Sequence, residues 1–145
     1  MKAITFFEFD AVFPGEKNSR TSNVKFLVNK IVECLKENSY EIVDQDLWKD
    51  CGWYITVMSN NQYGIYIAKY FDNEPWQLTL SLVNHYGFLA RLFGKRNDGV
   101  TEEAKTITNL LFKIIKDTNL ASNIEITHAN HTKISVNDPK SLKWD

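Results

Sequence analysis

The chain has 145 residues, 43% of them hydrophobic and 24% charged, with a formal net charge of −1. A single domain of this length buries about 68–70% of the surface its unfolded chain would expose, so it builds a core without disulfide or metal staples. This composition excludes wholesale disorder, the near-neutral charge excludes a polycationic grip on nucleic acid or anionic membrane, and no stretch approaches the roughly 18 apolar residues of a membrane span.

The first segment, Met1 to Phe13, is apolar but carries Glu8 and Asp10. Acids break the apolar region of a secretory signal and no small-residue cleavage site follows, so the chain is expected to stay in the cytoplasm. In a strand Glu8 and Asp10 share a face; charge that protects an edge strand explains them better than paired acid/base chemistry. Pro14-Gly15-Glu16-Lys17-Asn18 reads as a loop. A helix follows: Ser22 is placed to cap it, Val24, Leu27, Val28, Ile31 and Leu35 recur at helical spacing, and Asn38-Ser39 stops it. Cys34 sits near that apolar stripe and Cys51 stands alone further on. Neither belongs to a C-x-x-C pair, and both are expected as free thiols.

Between Glu33 and Asp50 there are six acids, Glu33, Glu37, Glu41, Asp44, Asp46 and Asp50, against Lys36 and Lys49. A solvated helix end and turn accounts for them; the functional alternative is an acidic patch for a basic partner. Tyr40 to Val43 suits a short strand. Three clearer strands follow. Gly52 to Met58 sets Trp53, Ile55 and Val57 against Tyr54, Thr56 and Met58. Tyr63 to Tyr70 sets Ile65 and Ile67 against Tyr66, Ala68 and Tyr70. Trp76 to Val83 sets Trp76, Leu78, Leu80 and Leu82 against Gln77, Thr79 and Ser81. Period-two runs joined by the turns Ser59-Asn60-Asn61-Gln62 and Asp72-Asn73-Glu74-Pro75 predict an antiparallel meander with one buried face.

His85 to Gly94 is apolar without a clean period and reads as a short helix or irregular segment, with Arg91, Lys95 and Arg96 as a basic cluster at its end. A second helix starts at Thr101, with Glu102 and Glu103 at the positive end of its dipole. Ala104, Ile107, Leu110, Leu111, Ile114 and Ile115 form its stripe, and Asp117-Thr118-Asn119 ends it. Ile124 and Ile126, then Ile134 and Val136, suit short closing strands, and a tail runs from about residue 138. The expected architecture is one α+β domain over 1–145: an antiparallel β-meander sheet with two main helices packed on its Trp53/Ile55/Ile65/Trp76/Leu78/Leu80 face.

Chemistry-bearing motifs are missing. There is no glycine-rich phosphate loop, no G-x-S-x-G elbow, no H-E-x-x-H and no EF-hand loop. His128 and His131, with His85, do not make a metal set in a strand-and-turn context, and Asp44-Gln45-Asp46 with Glu41 and Asp50 reads as a polar turn rather than a cation loop. No catalytic, cofactor-binding or metal-binding residue is assigned, and no enzyme activity is expected. Tyr54, Tyr66 and Tyr70 suggest a base-stacking platform, but no basic residues are interleaved with them, so single-stranded nucleic acid ranks low among expected partners.

The outer face of the meander is uncharged and rich in Tyr, where a solvated face carries Lys and Glu. Either a second layer covers it, such as Phe6–Phe13 or the closing strands, or it is a docking surface. On the second reading Tyr54, Tyr66 and Tyr70 anchor a partner, and Asp44, Asp46, Asp72 and Glu74 form the rim that steers it. The strands Gly52-Trp53-Tyr54-Ile55-Thr56-Val57, Tyr63-Gly64-Ile65-Tyr66-Ile67-Ala68 and Pro75-Trp76-Gln77-Leu78-Thr79-Leu80, with the acidic run Glu41 to Asp50, cover about half the chain and resemble in type the immunity proteins of bacterial toxin–immunity systems, including contact-dependent growth inhibition. The resemblance implies a cytoplasmic inhibitor that binds one cognate toxin, often a nuclease, and carries over no residue role. The alternative is a small enzyme or ligand-binding domain whose site is assembled from dispersed residues.

Overall fold

The computed structural model describes residues 2–13, 20–49, 51–71, 73–83, 102–128 and 133–135. In chain order they form β1 (Lys2–Ala11), α1 (Arg20–Glu37), β2 (Glu41–Trp48), β3 (Gly52–Met58), β4 (Gln62–Ala68), β5 (Trp76–Leu82), α2 (Glu102–Asp117), β6 (Ala121–His128) and β7 (Lys133–Ser135). The strands make one sheet in the order β2-β3-β4-β5-β1-β6-β7, and every neighbouring pair is antiparallel. The fold is α+β, and β2 to β5 form the meander.

The alternation sets the two faces as expected. Ile55, Val57, Tyr63, Ile65, Ile67, Leu78, Leu80 and Leu82 are fully buried and turn toward the helices. Val24, Leu27, Val28, Ile31 and Leu35 of α1, and Ala104, Ile107, Leu111, Phe112 and Ile115 of α2, close the core from above. A three-to-four residue recurrence lines one side of a helix, and both helices spend that side on the sheet. The first helix begins at Arg20, two residues before the expected cap Ser22, which therefore lies inside it. It ends as expected: Ser39 takes a left-handed conformation (φ 68°), Tyr40 N–H reaches back to the Leu35 carbonyl at 2.9 Å and Ser39 N–H to that of Lys36 at 3.0 Å. This double return satisfies carbonyls that the helix end would leave open.

Three expectations for the sheet need correcting. Glu8 and Asp10 do not protect an edge, and Phe6–Phe13 does not form a covering layer. Residues Lys2–Ala11 are a central strand paired to β5 on one side and β6 on the other. Register shifts between Ala3 and Thr5 and between Glu8 and Asp10 obscure its period in the sequence. The short strand expected at Tyr40–Val43 runs on to Trp48, so Glu41, Asp44 and Asp46 lie on a strand and not in a turn, while Glu33 and Glu37 close the first helix as expected. The closing strands form, as β6 and β7. The Pro14 loop, the segment from His85 to Gly94 with Arg91, Lys95 and Arg96, the residues Asp50, Asp72 and His131, and the tail with Trp144 lie outside the described residues.

One polar contact fixes α2 over β1. Thr108 Oγ1 donates to the Ala104 carbonyl at 2.9 Å, which uses its proton; the Thr5 hydroxyl, 3.1 Å away, therefore donates to Thr108 Oγ1. Thr5 is 1% exposed, so water does not replace a lost partner. Thr108→Val is expected to cost about 1–3 kcal/mol by stranding the Thr5 hydroxyl, and Thr5→Val in the same chain to recover most of that loss. Urea unfolding of the four proteins in the double-mutant cycle checks it; additive losses would show that the two hydroxyls do not depend on each other.

Candidate functional site

Gly52, Tyr54, Thr56 and Met58 point away from the helices, and the registers give their row partners. Asp46, Tyr54, Tyr66, Thr79, Phe6 and Thr127 lie in one row across β2, β3, β4, β5, β1 and β6. Beside it run Asp44, Thr56, Gly64 and Ser81 on one side, and Trp48, Gly52, Ala68, Gln77 and Glu8 on the other. Among the described residues both helices pack on the opposite face.

Three aromatic rings meet at the β2 end of this face. Trp48 stands edge-on to Tyr66, with centroids 4.9 Å apart and planes at 67°, and to Tyr54 at 6.5 Å and 82°. Tyr54 and Tyr66 tilt toward each other at 6.2 Å and 31°. Cross-strand aromatic neighbours favour such edge-to-face and offset arrangements. Small residues make the room. Gly52 and Ala68 occupy the row of Trp48, and the Tyr66 ring lies over Gly64, where an added Cβ would stand 3.0 Å from Tyr66 Cε2. Gly52 is needed for a second reason: a Cβ there would fall 1.8 Å from the Ile67 carbonyl oxygen, a backbone atom that cannot step aside. Gly52→Ala is therefore expected to cost about 1–3 kcal/mol in thermal or urea unfolding, and to disturb the Trp48 near-ultraviolet circular dichroism. An unchanged midpoint would mean the β3–β4 spacing is slack enough to admit a methyl group.

Carboxylates border the cluster. Tyr54 donates its hydroxyl to Asp44 Oδ2 at 2.8 Å. That hydrogen bond to the Asp44 carboxylate is the main reason the Tyr54 phenol titrates above its ordinary range. Asp46 accepts the Leu47 backbone N–H at 2.7 Å. A cation already rests on the cluster, since Lys49 Nζ lies 5.4 Å from the Trp48 ring centroid. The Trp48 indole N–H is buried and has no hydrogen-bond partner among the described residues.

Of the expected anchors, Tyr54 and Tyr66 come together as the sheet parity requires. Tyr70 lies two residues past the end of β4 and is 42% exposed; the third ring of the cluster is Trp48. Asp44 and Asp46 border the rings, and Glu74 lies in the β4–β5 turn. Trp48 is the residue that the sequence reading missed. Its only signal is hairpin register, which pairs it with Gly52.

A second concavity lies between the C-terminal halves of α1 and α2, lined by Cys34, Asn38, Leu110 and Ile114 with charged residues around them. Burial first, then the Glu37 carboxylate, pushes the Cys34 thiol above its ordinary range, which is the reverse of what a thiolate nucleophile needs. Cys51 is buried and both cysteines are free thiols. Among the described residues no three His, Cys, Asp or Glu side chains converge on a metal position, and no helix is long and apolar enough to cross a membrane. No protein-family model matches this chain, and no curated protein matches it either.

Proposed function

We propose that this chain is a protein-binding module of the immunity type, acting in the cytoplasm to bind and neutralise a cognate bacterial toxin, without catalysis of its own. The observation that carries this reading is the Trp48–Tyr54–Tyr66 cluster on a sheet face, bordered by Asp44 and Asp46. Large amphipathic rings offer contact area at small entropic cost, and carboxylates at their margin steer a basic partner. The same carboxylates disfavour a phosphate backbone, because a single-strand binder needs positive charge along its stacking platform.

The test is growth. The open reading frame next to this gene is induced as a toxin in a sensitive host, with and without this chain. Rescue is expected from the natural chain and not from a soluble Tyr54→Ala, Tyr66→Ala double variant. Rescue that persists in the double variant would move the site off this face, and a host unharmed by the neighbouring product would overturn the immunity reading.

A further inference from the structure

Among the described residues no strand pairs with the outer edge of β2, and the register fixes which backbone groups that edge presents. Lys69 N–H donates to the Cys51 carbonyl at 3.0 Å, so the odd-numbered residues of β3 turn their backbone groups to β4. The even-numbered ones, Gly52, Tyr54, Thr56 and Met58, then face β2, where they are opposite Trp48, Asp46, Asp44 and Glu41. In an antiparallel pair a residue spends both its N–H and its C=O on the same neighbour. Gln45 and Leu47 therefore direct theirs outward, to the side where no further strand pairs among the described residues. The Leu47 amide agrees, since a carboxylate and not β3 takes it. Gln45 is exposed, and the side chains of Val43 and Leu47 are 51% and 49% exposed.

The two ends of the sheet differ. Among the described residues β7 has three and offers little to a new strand, whereas β2 has eight. Every charged side chain on β2 is acidic: Glu41, Asp44 and Asp46. A second copy pairing along this edge would bring carboxylates opposite carboxylates, which is destabilising in a ladder. A strand with Lys or Arg at alternate positions would bring them opposite cations instead. An edge of this kind refuses its own copy and selects a basic one.

We infer that the outer edge of β2 accepts an extended, basic segment of the partner as an added strand, bonded to the backbone of Gln45 and Leu47, with the Leu47 N–H exchanging the Asp46 carboxylate for a carbonyl of that segment and Asp44 and Asp46 pairing with its cations. This rests on reading the chain as a protein-binding module, but on backbone atoms that the aromatic face does not use. Strand addition of this type draws affinity from main-chain hydrogen bonds and selectivity from alternate side chains.

The probe is a capped peptide of about eight residues alternating Lys with Val, matched to the length of β2, added to the full chain while amide hydrogen exchange is followed by nuclear magnetic resonance. The Gln45 and Leu47 amides should slow about tenfold or more, and the effect should fade in high salt. A Glu-for-Lys peptide, and a basic peptide N-methylated on its bonding edge, should leave both amides unchanged. Gln45→Pro should fold, because this N–H bonds nothing in β3, and should abolish the protection; if it does not fold, the N-methylated peptide carries the same test from the other side. Binding of the basic peptide without protection of Gln45 and Leu47, or no binding at all, overturns the inference. So does protection that grows with protein concentration in the absence of peptide, which would assign the edge to a second copy. Either failure leaves the aromatic face to stand or fall on the growth assay, where the edge variant Gln45→Pro and the face variants are scored separately.

Discussion

Leu80→Ala is expected to lower the unfolding free energy by about 2–5 kcal/mol, measured as a shift of the urea midpoint at unchanged slope. Leu80 is fully buried in the middle of β5. It is opposite Ile65 on β4 and Thr5 on β1, and Leu78 and Leu82 flank it on the same face. Removing its branched end leaves a void among neighbours that three strands hold in place, so the site cannot collapse to refill it. Thr79 supplies the contrast. It is the next residue, on the other face, between Tyr66 and Phe6, and it is only half-buried. Thr79→Ala should cost under about 1 kcal/mol. Comparable losses at the two positions would contradict the division of faces, because a strand offset by one residue exchanges its two sides entirely.

That division was legible because β3, β4 and β5 turn their large aliphatic residues to one fully buried side at strict period two, while the other side, only partly buried, carries small, polar and aromatic residues. The stripe of α2 was legible for the matching reason at helical period, except that Phe112 and Thr108 extend it beyond the aliphatic residues. The central strand hid its role. Ile4, Phe7 and Phe9 are core residues, but the register shift after Ala3 and the outward-facing Phe6 break the alternation that would announce a strand. β2 hid its length, since six of its eight residues are exposed and a shift between Ile42 and Asp44 moves the acids out of phase with Ile42. The same shift explains the site. Tyr54 and Tyr66 follow from parity within their own strands, and the proximity of Asp44 and Asp46 follows once the acidic run is a strand. Trp48 follows only from the β2–β3 register, which no local pattern encodes.

Tyr66→Ala is expected to weaken partner binding by about 2 kcal/mol or more, through faster dissociation. Tyr66 is the central ring of the face. It contacts both Trp48 and Tyr54, lies over Gly64, and has Thr79 and Phe6 beyond it in its row. Losing it also removes the ring that Trp48 stands against, so the remaining surface no longer presents one platform. Asp44 and Asp46 should fail differently. Both are exposed, so charge there acts mainly on encounter, and the double variant Asp44→Asn, Asp46→Asn should slow association with little change in dissociation. Added salt should screen the natural carboxylates and erase that difference, while leaving the Tyr66→Ala defect in place. Surface-immobilised kinetics with the product of the neighbouring reading frame, at low and high salt, separates the two. Circular dichroism guards against unfolding, and Tyr66→Phe, which keeps the ring, should retain most of the affinity. Unchanged kinetics for folded Tyr66→Ala would mean that the partner does not touch this face. Equal salt sensitivity of the Tyr66 and Asp variants would mean that the rings serve only to position the carboxylates, with charge and not contact area deciding how long the complex lasts.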